Sequence, residues 1–191
     1  MREPFNLAVL GPPLCGKGNH ANLIAKKFGL YVISTGQIFR DAINRNSKLG
    51  REVRDAVHAG KLVPDDTVIR AVRPRFDSWL CKRDFVLDGF PRTMGQLNFL
   101  EKLFTQKGTE LKMVVLLQID KEEMFKRSLG RKRIDRSQEV LETRWRVYQN
   151  ETVPVISWYR DKGRLSEING MSSVPKVWRR IRREFFKKFR L

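Results

Sequence analysis

The residues Gly11-Pro12-Pro13-Leu14-Cys15-Gly16-Lys17-Gly18 place four residues between two glycines and a lysine directly after the second. In the spacing G-x-x-x-x-G-K, backbone N–H groups cradle phosphate oxygens, the lysine reaches the outer phosphates, and the following helix N-terminus adds a favourable dipole. A plain glycine turn between strand and helix would explain the glycines but not a lysine at that place. Gly18 stands where serine or threonine normally follows the lysine. A second basic set lies between residues 121 and 146, where nine Lys or Arg (121, 126, 127, 131, 132, 133, 136, 144, 146) face five acids. Arg127 and Arg131, at i and i+4, share a helix face. A merely solvated basic helix pair would not require Arg rather than Lys at 127, 131, 133 and 144. The planar guanidinium fork suits phosphate oxygens.

These groups must be held by an alternation of strands and helices. Phe5 to Leu10 is an apolar run ended by Gly11, and Ala21, Ile24, Ala25 and Phe28 give Lys17 to Phe28 helical spacing up to Gly29. A strand is expected over Tyr31 to Ser34, with helices over about 36–45 and 50–59. Another helix starts after Pro64, with Asp65 and Asp66 in its first turn. Phe85 to Leu87 and Lys112 to Ile119 read as strands buried on both faces. Helices are expected near 93–107, 121–130, 138–150 and 152–162, then a strand near 164–168 and a terminal helix from about 173. Strand and helix taking turns imply a parallel sheet covered by helices, with ligands beyond the carboxyl ends of the strands.

Composition narrows the class. The chain has 191 residues, 41% of them hydrophobic, enough for one sizeable core, and 39 Lys plus Arg against 21 Asp plus Glu give a net charge of +18. A disordered tail or a peptide hormone is excluded, and no internal repeat is visible. The longest strongly apolar stretch, Met113 to Ile119, falls far short of the roughly 20 residues that span a bilayer, so no membrane insertion is expected. The apolar run Leu7 to Leu10 is too short for a signal peptide, and Cys15 and Cys81 have no partners at metal spacing. A cytoplasmic protein with reduced thiols is the expectation.

Taken with Ser34-Thr35-Gly36, Leu62-Val63-Pro64, Leu87-Asp88-Gly89-Phe90-Pro91-Arg92-Thr93 and the arginine set ending at Arg144, the glycine loop resembles that of the nucleoside monophosphate kinases. The similarity is specifically to adenylate kinases of the short-lid type, and it runs from about residue 5 to 190. It implies a three-layer α/β phosphate-loop fold: a five-stranded parallel sheet flanked by helices, with a small helical monophosphate-binding lobe (about 35–60) and a minimal lid (about 131–137). The core would be 1–34, 61–130 and 138–191. It further implies ATP held by Gly11, Pro13, Gly16, Lys17, Gly18, Asn19 and Arg127. AMP would be held by Thr35, Arg40, Leu62, Val63, Gly89, Arg92 and Gln96. The catalytic set would be Lys17, Asp88, Arg92, Arg131, Arg133 and Arg144. Mg²⁺ would enter with ATP, carried by phosphates and water rather than by direct protein ligands, with Asp88 orienting that water. ATP, AMP and ADP are the implied partners of a monomer.

Several residues depart from the family pattern. Leu14 replaces a loop glycine, Asn19 a threonine, Gln37 an aspartate and Arg136 a lid aspartate after Asp135. Only Lys132 separates Arg131 from Arg133. Thr35 is the choice of adenylate kinases, whereas kinases of UMP and CMP tend to carry alanine there. A UMP, CMP or dAMP kinase of the same fold, and a weakly active nucleotide- or nucleic-acid-binding relative, stay open as alternatives. From Lys176 to Leu191, eight basic residues surround an apolar stripe of Trp178, Ile181, Phe185 and Phe189 at helical spacing. The stripe is expected to pack on the sheet, and the cationic face is a candidate for weak polyanion contact.

Overall fold

A computed structural model describes residues 5–79, 84–129 and 137–189, with the backbone alone at 78 and 79. The elements in order are β1 (Asn6–Leu10), α1 (Lys17–Phe28), β2 (Tyr31–Ser34), α2 (Thr35–Asn44), α3 (Lys48–His58), α4 (Asp65–Trp79) and β3 (Phe85–Asp88). Then follow α5 (Met94–Lys107), β4 (Leu111–Gln118), α6 (Lys121–Ser128), α7 (Gln138–Val147), α8 (Val153–Asp161), β5 (Leu165–Asn169) and α9 (Val174–Phe189). The strands form one parallel sheet in the order β2-β3-β1-β4-β5.

Alternate strand residues face opposite sides, and both sides are covered. Ala8, Leu10, Leu87, Val114 and Leu116 pack on one side with Val72 and Phe76 of α4, Leu100 of α5 and Tyr159 of α8. Leu7, Val9, Val86, Val115 and Leu117 pack on the other with Ile24 of α1, Met124 of α6 and Ile181 and Phe185 of α9. Double burial is why these strands read as unbroken apolar runs. The chain leaves β1 for the edge strand β2, returns to β3 and then passes β1 to reach β4, so direction reverses beside β1 and β3. That reversal is the place where open α/β sheets bind ligands. Val9 and Asp88 are paired in register, as are Ser34 and Asp88, so three strands end level there.

The elements expected from the sequence are present, with ends shifted by a few residues. Ser47 accepts from the N–H of Gly50 and starts α3 at Lys48 rather than near 50. The helix expected over 138–150 is α-helical only to Val147. It continues through a π turn, Tyr148–Thr152, into α8. Pro154 lies in the first turn of α8 and has no N–H to carry the α pattern across the junction. Among the described residues, no helix is long and apolar enough to cross a membrane. Cys81 and the expected lid, apart from Ser137, lie outside the described residues.

Candidate active site

At the level strand ends, β1 runs through Gly11 into the loop and α1. Gly11 has φ 144, and a Cβ there would run into the carbonyl oxygen of Leu117, so the strand can leave the sheet only through glycine. Ser34, Ser47, Thr93, Asp120 and Ser137 cap α2, α3, α5, α6 and α7 with their side chains, whereas Gly16 at the N-cap of α1 offers none. The first N–H groups of α1 are thereby left for a ligand. Lys17 folds over its own loop, its Nζ donating to the carbonyls of Gly11 at 2.8 Å and Pro12 at 2.7 Å.

Leu14 adopts φ 60, the left-handed region where glycine is at ease and leucine carries strain of about 1 to 2 kcal/mol. The side chain packs partly against the core beneath α1 and borders the cavity described below. At an ordinary position glycine is about 0.5 to 1 kcal/mol worse than alanine. Here Leu14→Gly should be at least as stable as Leu14→Ala, because both lose the packing and only glycine relieves the strain. Melting temperatures of the two variants check this; a clearly lower value for the glycine variant would contradict it.

Beyond the loop lies one cavity of about 260 Å³. It is bordered by Gly11, Pro13 and Lys17 from the loop and by Thr35 and Arg40 from α2. Leu62, Val63, Gly89, Arg92, Gln96 and Arg144 complete the sequence-predicted residues that meet there. Gly16, Gly18, Asn19, Asp88 and Arg127 are not on that wall, and Asn19 is exposed. Arg131 and Arg133 lie outside the described residues.

Thr35, Arg40, Arg92 and Arg144 on the wall are each held by a specific contact. Arg92 donates through Nε to the carbonyl of Gly89 at 2.7 Å, and a side chain at Gly89, whose φ is 68, would collide with that guanidinium. The left-handed backbone at 89 favours glycine, and its missing side chain lets the Arg92 guanidinium lie close. Burial lowers the pKa of Arg92; Asp88 opposes that shift, and the positive charges of Arg144 and Arg40 add to it. Arg40 donates to Oε1 of Gln37 at 2.8 Å, and Gln37 donates to Asp41 at 2.6 Å. The expected aspartate at 37 is thus replaced by an amide that orients Arg40. Thr35 donates to the Gly89 carbonyl at 3.2 Å, and Arg144 reaches the Val57 carbonyl at 3.3 Å. Asp88 accepts from Ser34 at 2.7 Å and sits against Gly18 of α1.

Arg127 occupies a distinct position. Its Nε donates to Glu123, while its other nitrogens donate to the carbonyls of Leu14 and Cys15, each at 3.3 Å, and of Gly170 at 2.7 Å. It therefore fastens the loop to the turn after β5.

Sequence reasoning missed Tyr148 and Thr152, which border the cavity on the π turn. Together with Arg144 they recur at four-residue steps, a signal that was available. Burial pushes the Tyr148 phenol up to about 12, so it stays a donor at neutral pH. Thr152 donates to the Arg92 carbonyl at 3.0 Å.

His20 was also missed. It is 2% exposed behind the loop, its Nδ1 has no hydrogen-bond partner among the described residues, and burial, with the charge of Arg127 second, lowers its pKa. A depressed histidine pKa means that the unfolded chain takes up a proton that the folded protein resists. Stability is therefore full above about 6.5 and falls as pH drops through that value toward the folded pKa. His20→Gln should flatten the fall in urea midpoint between about pH 7 and 5; an unchanged slope would exclude His20 as its source.

The comparisons with known proteins point to one family. Residues 9–164 match the family described as Adenylate kinase. An adenylate kinase of Clavibacter michiganensis is 39% identical over 180 residues, covering 92% of this chain and 90% of its own length. One of Leptospira biflexa is 38% identical over 175 residues, covering 90% and 94%, and one of Thermus thermophilus is 37% identical over 177 residues, covering 91% and 92%. With the phosphate loop, the parallel sheet and the cation-lined cavity arranged on the same chain, the protein belongs to the adenylate kinase family.

Proposed function

We propose that the protein catalyses reversible transfer of the terminal phosphoryl group of ATP to AMP, giving two ADP. The observation that carries this reading is the convergence of Lys17, Arg40, Arg92 and Arg144 on one cavity, where Arg40 and Arg144 add to the cost of charging Arg92. Cations that raise the cost of charging one another are relieved by phosphates, and phosphoryl transfer depends on such positioning and charge stabilisation. A phosphate oxygen of AMP attacks the γ-phosphorus in line, and the bond to the β–γ bridging oxygen breaks, leaving ADP on each side.

The loop residues Gly11, Pro13, Gly16, Gly18 and Asn19 hold the donor with Lys17, and Arg127 supports the donor side. Arg40 and Arg92 grip the acceptor phosphate, and Thr35, Leu62, Val63, Gly89 and Gln96 form the acceptor pocket. Arg131 and Arg133 are assigned with Arg144 to the moving group on their sequence positions. Mg²⁺ supplies charge neutralisation on the phosphates when it enters with ATP. Asp88 fits its hydrated shell, because this carboxylate ends β3 beside α1 and accepts from Ser34 on Oδ2. Residues of about 35–60 form the acceptor lobe and about 131–137 the lid.

The protein is read as a monomer. Lys176, Arg179, Arg182, Arg183 and Lys187 are exposed on α9, which makes this face the place for any weak polyanion contact. ADP formation from ATP and Mg²⁺ with AMP, dAMP, CMP or UMP tests the acceptor: AMP should give the highest kcat/KM. CMP or UMP at equal or better kcat/KM, or no turnover at all, would overturn the reading.

A further inference from the structure

We propose that Asp65 fixes the direction in which the Gln96 amide faces and thereby makes the acceptor pocket select a 6-aminopurine over a 6-oxopurine nucleotide; the inference rests on reading this pocket as the AMP site. Gln96 is 2% exposed and borders the cavity. Its Oε1 accepts from the Arg92 N–H at 2.9 Å, and its Nε2 donates to Oδ1 of Asp65 at 2.8 Å. Neither partner can exchange roles, since a backbone N–H only donates and an ionised carboxylate only accepts. A flipped amide would set N–H against N–H and carbonyl oxygen against carboxylate.

Asp65 is itself held in place. Its Oδ2 accepts from Thr93 Oγ1 at 2.8 Å, and it approaches Gly95 so closely that a Cβ there would collide with it. Thr93 in turn accepts from the Gln96 N–H at 3.1 Å, so the backbone and the side chain of Gln96 both hang from one carboxylate. The helix dipole alone does not require this placement, because the neighbouring Asp66 serves the first turn of α4 while exposed.

Once both partners are satisfied, the amide retains one lone pair on Oε1 and one N–H on Nε2. Adenine matches such an amide with its 6-amino donor beside a ring-nitrogen acceptor, whereas a 6-oxopurine puts an acceptor in place of that donor. A glutamine free to turn over would accommodate either base; one locked by Asp65 meets the 6-oxo group with the wrong polarity. Sites built on such hydrogen bonds can discriminate by about 10⁴ to 10⁵.

The test compares the full chain with Asp65→Asn, which keeps the side-chain shape but offers either N–H or C=O. With MgATP as donor, kcat and KM are measured for AMP and for IMP. The unmodified protein should prefer AMP by about 10³-fold or more. Asp65→Asn should compress that ratio by about 10- to 100-fold, with KM for AMP rising, kcat for AMP little changed and kcat/KM for IMP increasing outright. General damage to the fold would not produce that last gain. If the asparagine variant does not fold, Asp65→Ser, which can also donate or accept, should shift the ratio in the same direction. An unchanged AMP-to-IMP ratio, or a proportional loss for both nucleotides, overturns the inference while leaving the AMP reading intact. Absence of ADP formation from AMP by the unmodified protein overturns both.

Discussion

Lys17→Met is expected to lower kcat/KM for ADP formation by roughly 10³-fold, the low end of what one phosphoryl-stabilising cation contributes. Methionine keeps an unbranched side chain of similar bulk and removes the charge together with its hydrogen bonds. The ammonium donates to the Gly11 and Pro12 carbonyls, so its loss should lower the melting temperature by a few degrees at most and leave the protein folded. Arg92→Ala should show a similar loss of activity. It also removes a partly buried cation that Asp88 favours and that Arg144 and Arg40 disfavour, so the activity loss should exceed anything its stability would explain. Arg92→Lys should recover little, because an ammonium cannot reproduce a fork that binds Gly89 and a phosphate together. Initial rates and melting curves on the same preparations decide the matter, and near-native turnover in Lys17→Met or Arg92→Ala would contradict the assigned roles.

The largest effect on stability is expected at α9. Val177, Ile181 and Phe185 are each at most 2% exposed. Phe185 stacks on Phe28 of α1 with ring centres 4.9 Å apart, and Phe5 packs edge-on to Phe189 at 4.6 Å. Phe185→Ala should cost about 3 to 5 kcal/mol. At about 2 to 4 °C per kcal/mol for a chain of this length, that is a fall of about 6 to 20 °C. Deleting residues 176 to 191 removes all three buried side chains and should abolish a cooperative transition. Changing Arg179, Arg183, Lys187 and Lys188 to Gln should instead leave folding and turnover near normal, since exposed charges away from the site contribute little. A folded Gln variant that has lost activity would place the basic face within the active site.

The stripe on α9 shows how much was legible beforehand. Its period identified an amphipathic helix, and Ile181 and Phe185 are buried as expected. Val177, one position before Trp178, is buried as well, while Trp178 and Phe189 are only partly covered. Burial at the margin of such a stripe depends on where the helix meets Phe5 and Phe28, which helical spacing does not encode.

The sequence by itself determined the alternation of strands and helices and the phosphate loop, and its resemblance to the family supplied half of the residues that border the cavity. The first two follow from local chemistry: apolar runs for doubly buried strands, and glycines and lysine at a fixed spacing. Tertiary structure decided what each polar group faces. Arg127 turns to the Gly170 carbonyl, Asp65 to Gln96, and Thr152 to the Arg92 backbone. These partners are separated by 43, 31 and 60 positions in the chain. Strand order and the crossing of the chain past β1 bring such residues within hydrogen-bonding distance. Hydrogen bonds act over about 3 Å, so their partners are set by that packing rather than by nearness in sequence.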